Sequence, residues 1–73
     1  MKAGTLVRAN AKYLRSQAYA RFSDRHLRAV TPDSRGLVTK IEIRDNELYA
    51  TVAWLDGSVP PLWFSSKLQE ITQ

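Results

Sequence analysis

The sequence contains no cysteine among its 73 residues. Disulfide bridges and thiolate zinc sites are therefore excluded, so packing alone must hold the fold, and a reducing compartment is favoured. The single histidine, His26, has only the acidic Asp24 near it in the chain. Because a catalytic base or a metal ion needs several partners, we expect no catalytic residues, no metal site and no cofactor.

Long apolar runs are also missing. No stretch approaches the ~18 residues of a membrane-spanning helix, and residues 1–4 lead into no apolar segment of the kind found in signal peptides. The three glycines are isolated from one another, which leaves no glycine-rich loop for a phosphate group. We therefore expect a soluble, cytoplasmic protein that does not contact membranes and that forms one domain over residues 1–73.

Positive charge is concentrated in the first half of the chain. Residues 1–35 hold eight basic and two acidic side chains, a net charge of +6, whereas residues 36–73 hold three basic and five acidic side chains, a net charge of −2. Seven of the eleven cations are arginine. Arginine binds phosphate and carboxylate groups through two parallel hydrogen bonds and stacks on flat rings, so its prevalence indicates recognition of a partner.

Three strand signals follow one another in the second half of the chain, at residues 36–43, 48–54 and 62–64. All three segments are rich in β-branched or aromatic residues and are closed by turn sequences, as in small antiparallel barrels. In the first segment, Val38, Ile41 and Ile43 are expected in the core. Their spacing changes phase after Val38, which predicts a β-bulge.

Alternate residues of the second strand segment are predicted to face inward. The larger side chains alternate with smaller or polar ones at a period of two, which places one face of the strand toward the core. The inward residues are Leu48, Ala50, Val52 and Trp54. Trp54 and Asp56 also suggest an aromatic cage for a methylated cation, but the alternation favours a buried Trp54.

Turn chemistry separates these strands. Residues 44–47 predict a polar hairpin turn, and Asp56 with Gly57 predicts the next tight turn. Pro60 and Pro61 cannot donate ladder hydrogen bonds, so they are expected at a sheet edge or at the start of a strand. Two further segments complete this half, namely a 3₁₀ turn over residues 65–68 and a last strand over residues 69–71.

The first half opens with a short strand signal over residues 5–8 and then becomes helical. Asn10 is the expected N-cap of a helix whose apolar face repeats every three or four residues. That face consists of Ala11, Leu14, Ala18 and Phe22. The pattern breaks at residues 23–24, and a second helical turn is expected over residues 25–30, because Pro32 disfavours helical backbone in the residue before it.

These segments together resemble an SH3-like small barrel, through residues 4–8, 36–41 and 63–71 and the step Val52-Ala53-Trp54-Leu55-Asp56-Gly57. The resemblance implies a mainly β fold of five short strands, a 3₁₀ turn before the last strand, and a basic helical insertion between strands 1 and 2 at about residues 10–35. The hairpin step is also similar to one in Tudor-like barrels. Short phage- or mobile-element-encoded proteins look similar in the order of Leu6-Val7-Arg8, Tyr13-Leu14-Arg15-Ser16 and Gly36-Leu37-Val38.

The chain departs from peptide-binding SH3 domains in one respect. Those domains carry an acidic, aromatic loop between the first and second strands, whereas the corresponding segment is basic here. Recognition of proline-rich peptides is therefore not expected.

The basic segment is the feature that best indicates a function. Its cations are interleaved with Tyr13 and Tyr19, and such a mixture can hold phosphate groups and stack on bases. We therefore expect a non-catalytic module that binds DNA or RNA through Arg8, Lys12, Arg15, Arg21, Arg25, Arg28 and Arg35. Two other interpretations stay open, namely a charged surface that only keeps the protein in solution and a contact with an acidic protein partner.

The adjacent Trp63 and Phe64 indicate an alternative function. Neighbouring residues on a strand point to opposite faces, so one ring is expected inside and the other outside. With Pro60 and Pro61 beside it, the outward ring favours a subunit or partner contact, which would make the protein an interaction module or a homo-oligomer. An enzyme assembled across a shared pore of an oligomer also stays open.

Overall fold

The computed structural model describes residues 1–71 and shows a five-stranded antiparallel sheet with two short helices. The strands are β1 (Leu6–Ala9), β2 (Gly36–Arg44), β3 (Glu47–Trp54), β4 (Leu62–Phe64) and β5 (Leu68–Glu70). Between β1 and β2 lie α1 (Ala11–Leu14) and α2 (Gln17–Ser23), and a 3₁₀ turn at Ser65–Lys67 precedes β5. The strand order is β4-β3-β2-β1-β5. The prediction of a mainly β fold is confirmed. The sheet formed by residues 1–71 is open and is not closed into a barrel. Residues 72–73 of the predicted domain lie outside the described part.

The β2–β3 hairpin turns through Asp45 and Asn46, as the sequence predicts. Both residues have left-handed backbone, with φ angles of 50° and 67°. Asp and Asn tolerate this conformation better than most residues, because their short polar side chains bond locally to the backbone. Two such residues in succession match the twist of the paired strands.

The predicted bulge in β2 is confirmed. Val38 pairs with Val52 and Lys40 pairs with Thr51, so Thr39 is an extra residue on β2. A bulge bends its strand and changes the phase of the side chains that follow it. Residues on both sides of Thr39 can therefore face the core.

Ile43 does not lie in the core as predicted. Its side chain is 75% exposed. Ile43 pairs with Leu48 near the end of the hairpin, whereas β4 pairs with β3 only at residues 49–51. The hairpin therefore extends beyond the part of the sheet that the core covers.

Alternate residues of β3 form the centre of the core. Ala50, Val52 and Trp54 are buried, as the period of two predicts, and Leu48 is only partly buried. The other elements complete the buried apolar set with Val7, Ala9, Val30, Val38, Trp63 and Leu68. Most members of this set are small, so the two tryptophans supply much of the buried apolar area.

Both indole N–H groups donate to one acceptor, the carbonyl oxygen of Pro60. The Nε1 to oxygen distances are 2.9 Å for Trp54 and 2.5 Å for Trp63. The two rings meet edge to face, with centroids 5.5 Å apart. The Pro61 carbonyl accepts from the Val52 N–H at 2.7 Å. The two prolines come directly before β4, as predicted. Their carbonyl groups accept hydrogen bonds from three buried residues of the core, Val52, Trp54 and Trp63.

The helical segment is interrupted where the sequence predicts one helix. Asn10 is the N-cap, and its Oδ1 accepts from the Lys12 N–H at 2.8 Å. Ser16 caps a second helix by accepting from the Tyr19 N–H at 3.2 Å. A serine in this position satisfies a free helical N–H group and so favours a new helix start. The predicted break at residues 23–24 is confirmed by the end of α2.

The interruption changes which residues face the core. Ala11 and Ala18, predicted on the apolar face, are exposed. Tyr13 and Leu14 are partly buried and pack against the core instead. Because the two helices have separate axes, an apolar repeat counted across both of them does not lie on one face.

Residues 25–30 do not form the predicted helical turn. The Val59 N–H donates to the Arg28 carbonyl oxygen at 2.9 Å, and Ala29 pairs with Val59 in a parallel bridge. The bridge pairs this segment with a distant part of the chain instead of continuing the helical hydrogen bonds of α2. The pairing instead directs Val30 into the core, where it is fully buried.

A buried serine joins the loop before β2 to the turn after β3. Ser34 is 1% exposed, and its Oγ donates to Asp56 Oδ2 at 2.7 Å. The same Oγ accepts from the Thr31 N–H at 2.9 Å, and Asp56 Oδ1 accepts from the Ser58 N–H at 3.0 Å. Hydrogen bonds from Ser58, and then from Ser34, lower the pKa of the Asp56 carboxyl group.

We expect Asp56 to make the stability of the fold sensitive to acid. Because its pKa is lower in the folded than in the unfolded chain, its contribution is complete above the unfolded value of about 3.9 and is lost as the pH falls through the folded value. Urea midpoints at about pH 6 and about pH 2.5 should differ more for wild type than for Asp56→Asn. Asp33→Asn is the control and should behave like wild type. Equal pH dependence in wild type and Asp56→Asn would contradict this role.

Candidate nucleic-acid interface

Six of the seven cations predicted to bind nucleic acid have exposed side chains. They lie on β1, on and directly after α1, on α2, and in the turns that follow α2. These six exposed cations are Arg8, Lys12, Arg15, Arg21, Arg25 and Arg28. Their exposure leaves the charged ends accessible to a ligand.

Within residues 1–71, no carboxylate lies within 4.0 Å of the charged groups of these six cations. On β2, by contrast, Glu42 pairs with Lys40 Nζ at 3.0 Å and with Arg44 Nη2 at 2.8 Å. Hydrogen bonds from Lys40, and then from Arg44, lower the pKa of the Glu42 carboxyl group. The cations of β2 are therefore neutralised by Glu42 within the fold, whereas the positive charge of residues 8–28 faces solvent and is available to a ligand.

Arg35, the seventh predicted cation, is engaged by its own loop. Its side chain is partly buried, and Nη1 donates to the carbonyl oxygens of Pro32 at 2.9 Å and of Ser34 at 3.0 Å. These hydrogen bonds hold the loop that leads into β2. Arg35 therefore differs from the six exposed cations, because part of its donor capacity is already used.

Tyr13 and Tyr19 pack toward the core rather than beside the exposed cations. The Tyr13 ring meets the Trp63 ring edge to face at 5.4 Å and the Tyr19 ring at 5.6 Å. The Tyr19 hydroxyl donates to the carbonyl oxygen of Val30. Burial raises the pKa of both tyrosine hydroxyl groups. This packing gives no support to the predicted role of the two rings as stacking surfaces for bases.

A different aromatic pair lies on the outer face of the sheet. Tyr49 and Phe64 are cross-strand partners on β3 and β4, with ring centroids 4.7 Å apart. The Arg44 guanidinium lies 5.8 Å from the Tyr49 centroid, and Lys67 Nζ lies 4.8 Å from the Phe64 centroid. Tyr49 and Lys67 were not among the site residues that the sequence predicted. The period of two already placed Tyr49 opposite in phase to the buried Ala50, but only the strand register brings it to Phe64.

The four residues predicted to contact a partner separate into two groups. Trp63 is 4% exposed and belongs to the core, whereas Phe64 is only partly buried and faces outward. The Pro60 carbonyl is occupied by the indole groups, and Pro61 is exposed. Phe64 and Pro61 are therefore the accessible members of the four.

The structure gives no support to an aromatic cage at Trp54. The Trp54 side chain is only 7% exposed.

His26 has an aromatic neighbour, since its ring stacks on Phe22 with centroids 4.2 Å apart. No cluster of three or more histidine, aspartate or glutamate side chains in the described part of the chain is placed to hold a metal ion. Among residues 1–71, no helix has the length and apolar character needed to cross a membrane.

Comparisons of the chain with models of protein families, with curated proteins and with solved structures give no match. The exposed charge and the side-chain geometry of residues 1–71 are therefore the observations that bear on function.

Proposed function

We propose that this protein is a small non-catalytic module that binds nucleic acid through the six exposed cations. The observation that carries the proposal is their exposure without a carboxylate partner in residues 1–71, in contrast to the paired cations of β2. Cations left without an internal partner attract phosphate groups. Arginine, which supplies five of the six, can also bind a phosphate through two hydrogen bonds.

Phosphate contacts are expected to dominate this binding, with little discrimination between duplex sequences. α1 has four residues and α2 has seven. A helix that reads base edges in the major groove needs several side chains along one exposed face. Neither helix is long enough for this, so the cations on the two helices are suited to contact the phosphate backbone of the nucleic acid rather than base edges in a groove.

We also propose that the sheet belongs to the SH3-like small barrels and that the chain is similar to short phage- or mobile-element-encoded proteins. Support comes from the strand order β4-β3-β2-β1-β5, from the bulge at Thr39 and from the 3₁₀ turn before β5. Bulges of this kind bend short sheets toward closure. In such a barrel, α1 and α2 form an insertion between the first two strands.

Replacing Arg15 and Arg21 together with glutamine should weaken binding and reduce its salt dependence. If each arginine contacts one phosphate of duplex DNA, the slope of log affinity against log salt concentration should change by about 0.9 for each contact removed. The thermal midpoint should stay near that of wild type, because both side chains are exposed. Fluorescence anisotropy with labelled duplex and single-stranded DNA and RNA at several salt concentrations measures the slope.

The control for this experiment is the double variant Lys40→Gln, Arg44→Gln. It has the same net charge as the first double variant, but the two cations that it removes already pair with Glu42. Its salt slope should remain close to that of wild type. Equal effects of the two double variants, or no binding of wild type at about 50 mM salt, would refute the proposed function.

A second candidate function is contact with another protein, or with a second copy of this chain, at β4. Among the strands of residues 1–71, β4 pairs only with β3 and lies at the edge of the sheet. Leu62 on β4 is 41% exposed, and the partly buried Phe64 faces outward. An edge strand offers unpaired backbone groups to which a partner strand can add, and exposed apolar side chains favour such a contact.

Light scattering on two serine variants tests this second candidate. Phe64→Ser should lower the apparent mass of an oligomer while retaining the circular dichroism spectrum of wild type. Trp63→Ser should damage the fold itself, because Trp63 is 4% exposed and bonded to Pro60. A wild type that stays monomeric at high concentration would exclude self-association and leave a foreign partner as the occupant of β4.

A further inference from the structure

A small surface cavity lies where α1 meets the β1–β5 edge of the sheet. Its volume is about 120 Å³. Its wall consists of Arg8, Ala9, Ala11, Leu14, Pro32 and Gln69. These residues come from β1, α1, the loop before β2, and β5. Only the folded chain brings the four segments together.

The size of the cavity suits a single six-membered ring. A buried apolar cavity of about 150 Å³ in another protein accommodates benzene. This cavity is somewhat smaller, at about 120 Å³, but it opens to solvent. A planar ring can therefore enter it while the groups attached to the ring remain outside. Leu14 and Pro32 provide apolar wall on which such a ring can pack.

Two of the residues that line the cavity have polar side chains. Arg8 on β1 and Gln69 on β5 are directly opposite each other in the register of the two strands. Cross-strand partners leave the sheet on the same face, so both side chains can reach one ligand. Both residues are exposed. The guanidinium group offers several donors, and the amide group offers both donors and an acceptor.

The cavity wall is held in place by hydrogen bonds. The Asn10 N–H donates to the Lys67 carbonyl oxygen at 2.8 Å, and the Leu14 N–H donates to the Asn10 carbonyl oxygen at 3.1 Å. Asn10 also caps α1 through the Lys12 N–H at 2.8 Å. α1 is thus tied to the segment that leads into β5. A preformed cavity of this kind loses little conformational freedom when a ligand enters.

We infer that this cavity binds one unpaired pyrimidine base of a single-stranded nucleic acid. The inference rests on the proposed function, because Lys12 and Arg15, which follow the wall residues Ala11 and Leu14 in the chain, then hold the phosphates that flank the base. A pyrimidine is a single ring whose carbonyl oxygens can accept hydrogen bonds from Arg8. The Gln69 amide can donate to and accept from the other polar groups of the base. Bases in a duplex use this edge for pairing and are stacked, so the cavity selects unpaired bases.

Three labelled strands of about 12 nucleotides test the inference on the full chain, namely oligo-dT, oligo-dA and an abasic strand with the same number of phosphates. Fluorescence anisotropy should show oligo-dT binding at least about fivefold more tightly than the other two strands, which corresponds to one favourable base contact. All three strands should show similar salt slopes, because their phosphate contacts are the same.

Ala11→Leu adds a branched side chain at the cavity wall without changing the charge. It should remove the advantage of oligo-dT and leave the affinity for the abasic strand unchanged. Ala18→Leu, at an exposed position of α2 away from the cavity, is the matched control and should keep the advantage. Circular dichroism checks that each variant is folded. If Ala11→Leu is not folded, Gln69→Leu makes the same test, with Gln17→Leu as its control.

The outcomes separate the cavity from the exposed cations. Equal affinity for oligo-dT and for the abasic strand would overturn the base-binding cavity and leave the phosphate contacts intact. A preference for oligo-dA, or an advantage of oligo-dT that survives in folded Ala11→Leu and Gln69→Leu, would overturn the cavity as well. If no strand binds, the proposed function and the cavity are both overturned.

Discussion

Replacing Trp54 with alanine is expected to leave the protein unfolded or close to unfolding at room temperature. The Trp54 side chain is 7% exposed and packs edge to face on Trp63. Truncation of a buried aromatic residue to alanine costs about 3 to 5 kcal/mol. The total stability of a domain of this size is only about 4 to 11 kcal/mol. The variant also loses the hydrogen bond from Nε1 to the Pro60 carbonyl. Circular dichroism and urea titration measure the loss.

Two further substitutions define what Trp54 contributes. Trp54→Phe keeps a buried ring and removes the indole N–H, so it should cost less than the alanine variant, because Trp63 still donates to Pro60. Leu55→Ala changes a neighbour that is 72% exposed and should stay within about 0.5 kcal/mol of wild type. A well-folded Trp54→Ala that has lost only ligand binding would argue against a structural role and favour the aromatic cage.

We expect Gly36→Ala to destabilise the fold strongly although it adds a single methyl group. Gly36 is buried at the start of β2 and pairs with Trp54. An added Cβ would overlap the Cγ1 methyl of Val52 and would lie 2.8 Å from Cε3 of Trp54. Val52 is 2% exposed and stiff at its first side-chain torsion, so it cannot easily move away. Overpacking of this kind costs about 1 to 3 kcal/mol, and sometimes more.

A double-mutant cycle identifies the contact responsible. Val52→Ala removes the methyl group that the new Cβ would meet, at the expense of a small cavity. The double variant Gly36→Ala, Val52→Ala should therefore be less destabilised than the sum of the two single variants. Urea unfolding of all four proteins gives the coupling free energy. Strictly additive effects would show that the predicted overlap between these two positions does not occur.

Features of the fold that depend on short segments could be predicted from the sequence. The turn at Asp45 and Asn46 follows from residue types that tolerate left-handed backbone. The burial of Ala50 and Val52 follows from a period of two, and the bulge at Thr39 follows from a change of phase in the apolar pattern. Each of these predictions needed only residues a few positions apart.

Features that depend on distant segments could not be predicted in this way. Residues 25–30 carry an apolar pattern compatible with a helical turn, but pairing with Val59 determines their backbone. Ile43 has the residue type of a core position, yet it lies near the end of the β2–β3 hairpin and is 75% exposed. For residues 25–30, the deciding partner lies far away in the sequence, and for Ile43 the extent of the packed core decides.

The candidate site also combines features that follow from residue types with features that depend on tertiary contacts. The exposed cations of residues 8–28 follow from composition, because charged side chains stay in water wherever the backbone places them. The packing of Tyr19 depends on contacts between separate segments, because its ring meets Tyr13 of α1 and its hydroxyl donates to the Val30 carbonyl oxygen. The meeting of Arg8 and Gln69 at one cavity depends on the pairing of β1 with β5.

By itself, the sequence determined the charge asymmetry, the strand segments, the turns and the inward face of β3. The tertiary structure decided that Trp63 is buried and Phe64 faces outward, that Tyr49 lies beside Phe64, and that a cavity forms where α1 meets the β1–β5 edge of the sheet. The physical reason is the range of the forces involved. Backbone preferences and charge depend on residue types over a few positions, whereas side-chain direction and cavities depend on strand register and on packing between remote segments.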